Sequence, residues 1–182
     1  MRCSPFLTLV LSLATCAVAP FAFGARPSYG PAGARSAFPT APTFVADLSS
    51  RQEAPPLQSQ AGGEAMFFLS RDGNALRYVV TVDRLRDVTM AHLHLAAAGK
   101  NGPVVAWLYP KSPPPRVRKG EISGTLSSGV LAAADLRGPL QGKSLRDLVD
   151  AVKAGDIYVQ VHTEQHPEGE IRGEAAMASP AP

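Results

Sequence analysis

The chain has 182 residues and a formal charge of +3, with 18% charged residues of both signs interleaved along it. That length holds one ordinary domain plus extra segments. The only basic cluster, Arg116, Arg118 and Lys119, has no aromatic platform beside it, which argues against a nucleic-acid partner.

In chain order, Arg2 precedes a nearly unbroken apolar run over residues 6–19, and Ala22-Phe23-Gly24 supplies a small-x-small cleavage pattern. These features predict a signal peptide over residues 1–24 and an exported protein, periplasmic or secreted. The run is short for a bilayer span, so an uncleaved anchor is the lesser alternative, and no later segment predicts a transmembrane span. A lipoprotein signal at Cys16 fits poorly, because Thr15 stands where a smaller residue is expected. Both cysteines, Cys3 and Cys16, fall within the signal. The mature chain would then carry no disulfide, no thiolate ligand and no thiol nucleophile, and its stability would come from a packed core. Loss of Arg2 takes the formal charge to +2.

Residues 25–42 are rich in Pro, Gly, Ala and Ser without apolar periodicity and predict a flexible leader. A domain is expected over residues 43–177, with a disordered tail over 178–182. Short segments of alternating or continuous apolar character predict strands at 44–48, 64–69, 76–85, 88–95, 104–109, 120–126, 157–163 and 170–176. Asp72-Gly73 lies at the centre of a hairpin turn between the second and third. Residues 144–154 depart from this pattern: Leu145, Leu148, Val149 and Val152 recur at helical spacing, with Ser144 as N-cap and Gly155 just past the end. A further helical turn is expected within residues 130–136. The fold class is therefore all-β, an eight-stranded sandwich or barrel with one short helix crossing its mouth.

Three of the four histidines occupy strand positions whose facing can be read. In the 88–95 segment Ala91, Leu93 and Leu95 share one face, so His92 and His94 share the other. In the 157–163 segment Ile157, Val159 and Val161 face the core, which leaves Tyr158, Gln160 and His162 facing outward. His166 follows in a Pro-Glu-Gly turn. If the two strands are neighbours, three or four imidazoles converge. All-nitrogen ligation suits copper or zinc, with copper preferred, and Glu164, Glu168 and Glu170 stand close as supporting or fourth ligands. The metal-site residues expected are His92, His94, His162 and His166. The competing structural reading makes His-x-His a polar pair on a solvated strand and lets His162-Thr163 brace a turn.

Five segments occur in the order of the landmarks of one family. They are Glu53-Ala54-Pro55-Pro56, Ala91-His92-Leu93-His94, Gly99-Lys100-Asn101-Gly102-Pro103-Val104-Val105, Val161-His162-Thr163 and His166-Pro167-Glu168-Gly169-Glu170-Ile171-Arg172-Gly173. Together they resemble the CHRD domain, the module named for its repeats in chordin. The resemblance covers residues 44–176 and implies an exported binding module without an inherited catalytic motif. Its arrangement of His-x-His and Val-His on a sandwich is more distantly similar to copper–zinc superoxide dismutases. The cysteine pair and the His/Asp-rich zinc loop of that family are missing, and Glu170 and Glu174 oppose any steering field from Arg172. No Gly-x-Ser-x-Gly elbow, phosphate loop or Rossmann alternation occurs. Three functions follow as expectations: a metal-binding exported module, a metal-free extracellular protein-interaction module, or a minimal copper enzyme.

Overall fold

The computed structural model describes residues 36–179. The expected signal peptide, the first part of the leader and residues 180–182 of the tail lie outside the described residues. Eight strands form: β1 (Phe44–Ser49), β2 (Gly62–Leu69), β3 (Leu76–Leu95), β4 (Val104–Tyr109), β5 (Arg118–Leu131), β6 (Ile157–Thr163), β7 (Ile171–Glu174) and β8 (Ala176–Met177). Among the described residues a single α-helix, α1, spans Leu145–Ala154. Period-two patterning acts as expected along β1, where Phe44, Ala46 and Leu48 are buried and Val45 and Asp47 are not.

All eight strands belong to one hydrogen-bonded sheet that closes on itself into a barrel-like sandwich. β1 pairs with β2, β2 with β3, β3 with β6, β6 with β7, and β7 returns to β1, all antiparallel. β4 and β5 extend the sheet from β3, and β8 pairs with β1. The closure removes the edges along most of the circuit.

The strand count agrees with the sequence expectation, but its composition differs. The predicted 76–85 and 88–95 strands are one 20-residue strand. The ladder slips between Val82 and Leu85 and again between Arg86 and Val88. Arg84 and Asp87 occupy left-handed backbone there, with φ of 54° and 52°. These bulges bend β3 without ending it, so its first half pairs with β2 and β5 and its second with β4 and β6. The predicted last strand is divided instead, into β7 and β8. The helical turn expected over 130–136 shrinks to a 3-10 turn at Ala133–Asp135, because Val130 and Leu131 continue β5.

The barrel interior holds Phe44, Phe67, Tyr78, Val80, Leu85, Leu93, Leu108, Val159, Val161 and Ile171, all almost fully buried. α1 closes one end. Its buried stripe of Leu145, Leu148, Val149 and Val152 joins this core, and Val152 lines a small void with Phe44, Phe67, Leu76, Leu93 and Ile157. The helix starts at a reciprocal cap: Ser144 Oγ accepts from Asp147 N, and Asp147 Oδ2 accepts from Ser144 N at 2.8 Å. It stops at Gly155, whose φ of 80° ends the helix in the left-handed region. Ser144→Ala is expected to lower unfolding stability by about 1 kcal/mol in chemical denaturation, with the strand circular-dichroism signature unchanged.

Candidate metal centre

From Met90 onward, past the bulge that follows Val88, the side chains of β3 sort by parity. Ala91 and Leu93 are 0% and 1% exposed in the barrel core, so His92 and His94 project from the opposite face. β6 lies beside this half, with Ala91 opposite Val161, His92 opposite Gln160 and Met90 opposite His162. β4 flanks the other side and sets Trp107 opposite His92. Two strands remote in sequence thus bring His92, His94 and His162 together, on the side that the facing of the apolar residues predicts.

The face they share is not solvated. His92, His94 and His162 are 3%, 7% and 6% exposed. This corrects the expectation of outward-facing, solvent-accessible imidazoles: they do point away from the core, but a second layer covers them. The Asn101-Gly102-Pro103 loop lies over His94, and the 164–170 turn lies over His162. Tyr158, Gln160, Glu170 and Arg172, expected on an outer surface, are buried in the same layer.

The three imidazoles offer donor atoms that all lie within 4.8 Å of one another. Three such atoms fit within a circle of about 2.8 Å radius, so contraction of about 0.7 Å per ring reaches metal–nitrogen bond length. Ring centroids are 5.2 Å apart for His92 and His162, 5.6 Å for His92 and His94, and 6.0 Å for His94 and His162. His94 Nδ1 donates to the Gly102 carbonyl at 2.9 Å, and His162 Nδ1 donates to the Pro167 carbonyl at 2.9 Å. Only an N–H can donate to a carbonyl, so each Nε2 keeps its lone pair. Both Nε2 atoms, and both nitrogens of His92, are buried without a hydrogen-bond partner. Backbone carbonyls holding the far nitrogen of each ligand are the usual support of a metal-bound histidine.

Aromatic packing fixes the rings. Trp107 meets His92 edge to face at 4.2 Å, and Tyr158 stacks on His94 at 4.8 Å and 13°. The Arg172 guanidinium lies 3.5 Å over the other side of Tyr158. Gly102 ties the assembly together, because its N–H donates to the Tyr158 hydroxyl while its carbonyl receives His94. A Cβ at Gly102 would overlap the Leu95 carbonyl oxygen, so only glycine lets this loop lie so close to β3.

His166 is not among the three clustered residues. It is half-buried and lines a surface pocket of about 310 Å³ with Glu53, Asn101 and Pro167. Its backbone N–H donates to Thr163 Oγ1, so the turn-bracing reading of the His162-Thr163 pair holds alongside the cluster. The nearby carboxylates have other partners. Glu164 pairs with Lys119, and Glu170 accepts from Ser59 and Thr163. Arg172 is 0% exposed and pairs with Glu174 and Asn101, which removes it as a steering charge for a soluble anion.

Sequence reasoning missed Glu53. It is 6% exposed, and Gln160 Nε2 donates to its Oε2 at 2.6 Å while also donating to the Glu168 carbonyl. Burial pushes its carboxyl up to about 7 against the opposing pull of Gln160 and Arg172. Its signal was the Glu-Ala-Pro-Pro motif, which has no strand period to reveal its facing. Gly169 permits this contact, since a Cβ there would strike the Gln160 amide.

Burial drives His92 down to about 3 and His94 to about 4, helped by mutual repulsion among the rings, and it lowers His162 as well. All three are neutral imidazoles at pH 7. Each binds a proton more readily unfolded than folded, so its contribution is full above the ordinary value of 6.5 and lost as pH falls through the folded value. Glu53 acts oppositely, its contribution being full below 4.5 and lost as pH rises through about 7. Three groups outweigh one, so the denaturation midpoint of chelator-treated protein should fall as pH drops from 6.5 to about 4. His92→Leu should flatten that slope, and an unchanged slope would contradict the assignment.

The CHRD domain family model matches residues 44–175, nearly all of the described domain. No curated protein and no solved structure matches the chain. The chain belongs to the CHRD domain family.

Proposed function

From CHRD family membership and the closed histidine cluster, we propose that this protein is an exported binding module. Its centre takes a transition metal on His92, His94 and His162, copper in preference to zinc, and holds the metal for binding rather than turnover. The observation that carries this reading is the convergence of three buried imidazoles, each with a lone-pair nitrogen that has no hydrogen-bond partner. A buried polar atom left unpaired costs about 1–3 kcal/mol, and a fold rarely keeps three together unless something else satisfies them. Imidazole nitrogens suit copper and zinc, and the two backbone carbonyls already hold His94 and His162 in the ligating tautomer. Export is supported by the N-terminal apolar run and its small-x-small site, together with a described domain that contains no cysteine.

Binding rather than catalysis follows from access. All four unpartnered nitrogens are shielded from solvent, which leaves no open ligand position reachable by a dissolved substrate. Apo-protein titrated with Cu(II) or Zn(II) should bind one equivalent, and His92→Ala/His94→Ala should lose it. Equal, weak binding by wild type and double variant would refute the centre. A metal-free interaction module predicts the opposite pattern: partner capture from extracellular material indifferent to chelator and to both substitutions.

Stability offers a second check. His92→Leu replaces an unpartnered polar ring by an apolar side chain, so the metal-free variant should be more stable than metal-free wild type by about 1 kcal/mol. Metal at about one hundred times its dissociation constant should stabilise wild type by about 2.7 kcal/mol and leave the variant unmoved. A purely structural histidine cluster would give destabilisation on substitution and no response to metal.

A further inference from the structure

One side chain on the histidine face has no role in the assembly described above. Met90 is two residues before His92 on β3, so Met90, His92 and His94 share a face. The ladder sets Met90 directly opposite His162 on β6. Directly opposed residues of an antiparallel pair carry Cβ atoms about 5 Å apart, within reach of a side chain with three rotatable bonds. Met90 is half-buried, unlike the three imidazoles, and stands at the end of the cluster away from Tyr158 and Gly102. The strand pair therefore presents a Met-x-His-x-His segment across from a single histidine.

We infer that Met90 supplies a thioether donor beside the three imidazoles and that the centre is selective for monovalent copper. This inference rests on reading the histidine cluster as a metal centre and names the ion that it holds.

Three observations lead there. First, among the described residues the cluster contains three histidines and no carboxylate or thiolate, so every donor is neutral. A buried divalent ion would keep its full charge in a solvent-shielded site, with the Arg172 cation just beyond Tyr158. The cost of burying an ion grows steeply with its charge, which favours a monovalent one. Second, three converging nitrogens fall short of the four ligands that zinc takes in structural sites and of the tetragonal set that suits Cu(II). Cu(I), with a filled d shell, accepts three or four donors without a geometric demand. Third, a thioether is a soft ligand that distinguishes Cu(I) from zinc, whereas imidazole alone does not. The bulge between Val88 and Met90 places Met90 where the ladder resumes, so its position opposite His162 is set by the same bend that aligns the histidines.

The test compares wild type, Met90→Leu and His92→Ala/His94→Ala as purified full-length proteins. Cu(I) affinity is measured anaerobically under reductant by competition with a chromophoric Cu(I) chelator, and Zn(II) and Cu(II) affinities by parallel competitions. Leucine conserves volume, and circular dichroism checks that the fold is kept. Wild type should hold one Cu(I) more tightly than either divalent ion. Met90→Leu should weaken Cu(I) by at least about tenfold while changing Zn(II) by less than about twofold. X-ray absorption of the Cu(I) form should show a sulfur shell that Met90→Leu removes. Equal Cu(I) affinity in wild type and Met90→Leu, or Cu(I) no tighter than the divalent ions, overturns this inference. In that event, divalent binding abolished by the double histidine variant would leave the metal centre itself standing. No binding of any of the three ions by wild type would overturn both.

Discussion

The register between the second half of β3 and β6 is the constraint on which this molecule turns. It is held by apolar burial, with Ala91 against Val161 and Leu93 against Val159 inside the barrel. A slip of one residue on either strand would drive imidazoles into the hydrocarbon core and expose valines, a reversal far too costly to populate. The hydrophobic core therefore acts as the jig that positions the polar face. Precision at the histidine cluster comes from side chains that never touch it.

A second layer of polar contacts then excludes water from that face. Over β6 and β7, buried Gln160 donates to buried Glu53, and buried Arg172 donates to Asn101, which is itself exposed at the rim of this layer. Asn101 in turn donates to the Ala54 carbonyl, which joins the segment after β1 to the loop after β3. Each member satisfies part of another, yet Glu53 Oε1 and Arg172 Nε keep no partner. Such networks are valuable when complete and costly when broken, so this layer is expected to be rigid rather than adaptable. Its rigidity carries to the rings through Gly102 and Pro167, whose carbonyls fix two imidazoles, and through the Arg172–Tyr158–His94 stack.

The two layers trade against each other. A barrel of this size with no disulfide depends on its apolar interior and on closure of the sheet for stability. The histidine face works against that stability by burying nitrogens without partners. This is the pattern expected where a site is held ready for something that completes it, and where stability is given up locally for function.

Much of the domain was legible from the residues themselves. Strand alternation identified four of the strand segments closely, helical spacing with Ser144 and Gly155 bounded α1, and parity assigned His92, His94 and His162 to one side of their strands, since these signals depend only on neighbours along the chain. The merging of two predicted strands into β3 was hidden, because each bulge shifts the parity of burial, from Val82 to Leu85 to Val88 to Ala91, and so reads in the sequence as the end of one strand and the start of another. That His92 and His162 would be neighbours, that His166 would be apart from them, and that the shared face would be covered depended on pairing between segments some seventy residues apart. Periodicity states which way a side chain points but not what lies there. The sequence by itself determined an all-β domain with three histidines turned away from its core; only the tertiary structure decided that those histidines are dry and converge, because burial is a property of the layer that arrives from elsewhere in the chain.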